Sequence, residues 1–120
     1  MNKIEPQYVT FTQAKLLKEK GFDVKCIAIF NDGEIMLLKS TISNSEFMTT
    51  RNYSTPEIWQ VVEWLRLKHN IDVHHIIVAA SHYGYNIFQN RTRKHKEEGY
   101  FLTPQEAYLT AFNYILKELI

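Results

Sequence analysis

The chain is 120 residues long, enough for one globular domain with a buried core, and its 45% hydrophobic content excludes a disordered sequence. Fourteen basic residues against thirteen acidic ones leave a net charge of +1, so global charge offers no basis for a nucleic-acid or membrane-surface role. The single cysteine, Cys26, excludes an intrachain disulfide, and no apolar run approaches the roughly 18 residues that span a bilayer. The first ten residues, MNKIEPQYVT, lack the apolar segment of a signal peptide, so the expected location is the cytoplasm, with Cys26 a buried and inert thiol.

In chain order, residues 1–9 read as an extended lead-in. Thr10 is a candidate N-cap with Gln13 as its capping-box partner, and Val9 and Ala14 form a staple around the helix start. That helix runs through Leu16 and Leu17 to Gly21, which suits the left-handed position after a helix end. Its apolar stripe is narrow, as on a peripheral helix. Val24–Phe30 and Glu34–Ser40 flank Asn31-Asp32-Gly33, the clearest hairpin signal in the chain. Thr41–Tyr53 turns polar and reads as a long connection.

Ser54–Ser81 is the strongest stretch. Ser54 and Thr55 offer N-cap oxygens, Pro56 suits a first turn, and Glu57 places negative charge at the positive end of the helix dipole. At 100° per residue Ile58, Val61, Val62, Leu65 and His69 share one arc, the expected core face. Trp64 and Leu67 fall off that arc. Either another element covers Trp64, or the pair belongs to a partner or self-association surface. The helix stops near Asn70, and a strand follows from Asp72 to Ala80. Its run Ile76–Ala80 is apolar without alternation, which predicts an interior strand at the centre of the sheet.

A tyrosine-rich strand over Tyr85–Asn90 comes next. It leads into the one local charge cluster, Arg91, Arg93, Lys94 and Lys96, partly offset by Glu97 and Glu98. Thr103, Pro104 and Glu106 make the best helix start, with a Leu102–Ala107 staple, and the last helix runs to Leu119. The predicted order is αββαββα. It implies an α+β domain over residues 1–120, with a four-stranded, mainly antiparallel sheet and three helices packed on it.

Chemical motifs are scarce. His74 and His75 are neighbours on a strand and point to opposite faces, while His82 lies eight residues beyond His74 without a carboxylate or thiol at ligand spacing. His69 is accounted for by the helix dipole. Ser81-His82 lacks an orienting third group, the four glycines are isolated, and Cys26 has no neighbour to lower its pKa. No catalytic set, metal site or cofactor is expected. Arg91, Arg93, Lys94 and Lys96 beside Tyr83, Tyr85, Phe88 and Tyr100 could hold phosphates while bases stack, against the plainer reading of a solvated hairpin loop.

The segments Gln13–Asp23, Pro56–Ile71, Tyr83–Phe88 and Phe101–Leu119 also occur in a recognisable order. Together they resemble a group of small uncharacterised proteins of bacteroidete bacteria, their phages and mobile elements. In that group a Gln-Ala-x-x-Leu-Lys-Glu-x-Gly-Phe segment leads to a Pro…Trp-Leu-Arg helix and a closing Glu-Ala helix. The resemblance implies a bacterial or phage source and a cytoplasmic protein, and it supplies no activity or site residue. The expected function is therefore a non-catalytic protein-interaction or accessory domain. Its partner is another protein or a second copy, with Trp64 and Leu67 as the candidate surface and no membrane role. Nucleic-acid binding through residues 83–100 is the alternative, and an enzyme of unknown chemistry the second.

Overall fold

A computed structural model describes residues 6–47, 51–90 and 93–120. It divides into two compact units, residues 1–59 and 60–120.

In the first unit Phe11–Glu19 forms helix α1. Thr10 caps it as expected: its hydroxyl accepts from the Gln13 N–H, and the Gln13 side chain accepts from the Thr10 N–H, each at 3.2 Å. At the other end Gly21 takes φ +87°, the Phe22 N–H reaches back to the Leu17 carbonyl and the Gly21 N–H to that of Lys18. These paired bonds satisfy carbonyls that a helix end leaves open. Strands β1 (Cys26–Asn31), β2 (Glu34–Ile42) and β3 (Asn52–Ser54) form an antiparallel sheet in the order β2-β1-β3. The hairpin turn is Asp32-Gly33, both at positive φ (51° and 86°), the conformation whose twist matches two antiparallel strands. Phe11 of α1 meets Phe30 and Tyr53 edge-on at 5.4 and 5.6 Å, so α1 lies on the face that carries Cys26, Ala28 and Phe30.

Of the stretch expected to be one long connection, residues 48–50 lie outside the described residues, and the rest is structured instead. Strand β2 extends to Ile42, a 3-10 turn occupies Asn44–Glu46, and β3 pairs with β1. Buried Asn44 explains this order: its amide donates to the Phe22 carbonyl at 2.7 Å, and its oxygen accepts from the Ser54 N–H at 2.9 Å. Those two partners also settle which way the amide faces.

Helix α2 (Ile58–His69) starts later than Ser54 and Thr55 suggest. Ser54 is consumed by the β1 pairing, the Thr55 N–H bonds to the Ala28 carbonyl, and the Pro56 carbonyl accepts from Val9. Glu57 forms a bridge with Tyr8. Backbone groups already committed to strand partners cannot open a helix.

In the second unit Asn70 (φ 54°) ends α2, and β4 (Ile71–Ala79) begins at once. It pairs with β5 (His82–Gln89), which pairs with β6 (Arg93–Phe101), all antiparallel in the order β4-β5-β6. Helix α3 (Pro104–Tyr114) continues as a π-helical turn over Ile115–Leu119. Thr103 caps α3, whereas Glu106 accepts from the Leu102 N–H, and Leu102 is exposed rather than stapled to Ala107.

The α+β class holds, but the single four-stranded sheet is replaced by two three-stranded sheets. The charge cluster after Asn90 hid β6, because its polar residues carry no apolar alternation. The predicted interior strand is an edge: Ile77 is 74% exposed, and the buried residues of β4 are Ile71 and Val73 at its start. The middle strand is β5, where Ile87 is fully buried. The apolar run Ile76–Ala80 instead leads into the β4–β5 turn, where the register shifts between Ile77 and Ala79.

Candidate functional site

The candidate site is the outer edge of the first unit. In the order β2-β1-β3, β2 has β1 on one side and no strand on the other among the described residues. Its burial is unlike that of a core strand: Ile35, Met36 and Leu37 stand exposed in succession, Leu37 at 69%. Ile27 of β1 and Met36 share the face opposite α1, and each is nearly half exposed.

The backbone geometry follows from the turn. Asn31 and Glu34 flank a two-residue loop, so they are a hydrogen-bonded pair, and pairs alternate from there. Ile29 and Met36 form the next hydrogen-bonded pair, while Phe30–Ile35 and Ala28–Leu37 are the non-bonded ones. The N–H and C=O groups of Ile35 and Leu37 therefore face away from β1, towards the open edge. An exposed apolar edge strand with unpaired main-chain groups is a template for another strand. Over Ile35–Leu37 no proline or charge blunts the edge, and the register shift of β2 against β1 lies beyond Leu37.

The two residues of the expected Trp64–Leu67 surface differ in exposure. Trp64 is only 6% exposed and lies edge-on to the His69 ring at 4.7 Å, while Leu67 projects from the helix. The buried residues of α2 are Ile58, Val61, Trp64 and Leu65, an arc rotated towards Trp64 from the one periodicity suggested. Burial also pushes the His69 pKa down. Trp59, which periodicity did not single out, is exposed.

The basic–aromatic set is divided. Tyr85 is 7% exposed and stacks on Phe101 at 6.4 Å, on the face of the sheet that α3 covers. Half-buried Tyr83 neighbours His75, whose Nδ1 lies 3.1 Å from the Tyr108 hydroxyl of α3. A second such pair joins His95 and Tyr114 at 3.3 Å, so these aromatics and histidines dock α3 on the sheet. Arg91 lies outside the described residues, as do the side chains of Arg93, Lys94 and Lys96. Their backbone positions fall on β6, not in a hairpin loop: Arg93 opposite Gln89, Lys94 opposite Phe88 and Lys96 opposite Asn86.

Cys26 is buried, its thiol pushed up to about 11 by that burial, which removes the thiolate a nucleophile needs. Among the described residues no three His, Cys, Asp or Glu side chains converge as a metal would require, and no helix is long and apolar enough to cross a membrane. No family model matches the chain, and neither a curated protein nor a solved structure is significantly similar to it.

Proposed function

We propose that the chain is a non-catalytic protein-interaction module that engages its partner by adding a strand to the β2 edge. The observation that carries this reading is the exposed run Ile35-Met36-Leu37 on a strand whose outer side has no strand neighbour among the described residues. Main-chain bonds supply affinity in strand addition, and the alternating side chains supply selectivity. The nucleic-acid alternative has less support, because Tyr85 is committed to the face under α3.

The test is a photo-crosslinking residue placed at Leu37, with one at exposed Arg66 as control. A discrete protein adduct is expected from Leu37 only. Ile35→Pro should abolish it, since proline deletes an N–H aimed at the edge without breaking a β1 bond. An adduct that persists in Ile35→Pro, with circular dichroism unchanged, would refute strand addition.

A further inference from the structure

The β2 edge is complementary to itself. Two antiparallel strands related by a two-fold axis perpendicular to the sheet keep the same residues on the same face. Only pairings in which the two residue numbers sum to an even value are therefore allowed. Centring the axis on Met36 sets Ile35 opposite Leu37 of the copy, and Leu37 opposite Ile35. These are the residues whose N–H and C=O groups point to the open edge, so both pairs exchange hydrogen bonds, and Met36 meets its own copy as the central non-bonded pair. On the α1 side this joins four exposed apolar side chains, and on the other side it joins the two Met36 residues.

Charge agrees with the same direction. Asp32 and Glu34 sit at the start of β2 and Lys39 near its end. In the two-fold arrangement the end of one β2 that carries Lys39 runs beside the acidic start of the other. A parallel pairing would instead place acid beside acid and lysine beside lysine, which is unfavourable.

We infer that the partner of β2 is a second copy of this chain, joined edge to edge through antiparallel β2 strands with Met36 on the two-fold axis. The inference rests on the reading of β2 as an interaction edge and names its occupant. The two first-unit sheets then run continuously, β3-β1-β2 followed by β2-β1-β3 of the copy, and the exposed edge disappears from both chains.

The register makes the test specific. Across a non-bonded antiparallel pair the Cα atoms are about 4.5 Å apart, within the ~4.4–6.8 Å range that a disulfide spans. Met36→Cys in the full chain should therefore form a disulfide-linked dimer under mild oxidation. Two Leu37→Cys residues lie diagonally, about 7–8 Å apart, and should link at least about tenfold less. Both sites are exposed, so the variants should fold, and wild type with its buried Cys26 is the unlinked control. Sedimentation of the wild type should show a monomer–dimer equilibrium.

Efficient linking through Leu37→Cys and not Met36→Cys would overturn the register. A wild-type monomer at every concentration, with neither variant linking, would overturn the second copy as partner. If the Leu37 photo-crosslinker still yielded an Ile35→Pro-sensitive adduct with a different protein, strand addition would stand and only its occupant would change. If that adduct were also absent, both would fall.

Discussion

His69 shows how a single burial event sets a pH dependence. Its ring packs against Trp64, and desolvation holds its pKa below the ordinary 6.5. The unfolded chain therefore takes up the proton at a higher pH than the folded one, and stability rises with pH through that interval. The contribution is fully present above the unfolded value and is lost as pH falls through the folded one. Denaturation midpoints should accordingly be higher at pH 8 than at pH 5 in the wild type. In His69→Gln that difference should shrink. An unchanged pH slope in the variant would mean that the proton uptake belongs to other groups. The lowered carboxyl pKa values do not confuse the reading, because hydrogen bonds from Ser45 to Asp23, from Lys25 to Glu46 and from Arg66 to Glu63 move them down from values already below that window.

Between elements, Asn44 joins the turn after α1 to β3 through one side chain. Replacing it with alanine removes two buried hydrogen bonds, the one to the Phe22 carbonyl and the one from the Ser54 N–H. Losing a buried hydrogen bond costs about 1–3 kcal/mol, so Asn44→Ala should lose about 2–4 kcal/mol in equilibrium unfolding. A loss below about 1 kcal/mol would show that the segment rearranges freely and that Asn44 does not order it. The same residue marks the limit of what local sequence could convey. The caps of α1 and α3 and the Asp32-Gly33 turn were readable because they rest on residues three or four apart. Strand β3 was not readable, since its position depends on bonds between Asn44 and residues 10 and 22 positions away. Strand β6 was missed for a related reason: its pairing to β5 is a backbone property, and the polar run Arg93–Glu98 gives no apolar period. At the candidate site, the exposure of Leu37 was equally hidden. An apolar strand reads as a buried one unless the strand order is known, and that order comes from the sheet.

For the whole molecule, edge pairing couples folding to association. If two chains fold as one dimer, the unfolding equilibrium contains the protein concentration, and the melting temperature must rise as the protein is concentrated. A tenfold increase adds about 1.4 kcal/mol per dimer. Two chains of this length carry an unfolding entropy of roughly 0.5 kcal/mol per kelvin, so the expected shift is about 3 °C per tenfold. Leu37→Lys isolates the cause. The side chain is 69% exposed, so the folded chain loses little by the change. In the two-fold register, however, the two lysines stand on one face, and a charged edge resists pairing. The variant should keep the wild-type far-ultraviolet spectrum and melt at a temperature independent of concentration. It should also match the wild type as the latter is diluted. A variant that retains the full concentration dependence would place the association elsewhere on the surface, and the exposed Ile35-Met36-Leu37 run would then need a different explanation.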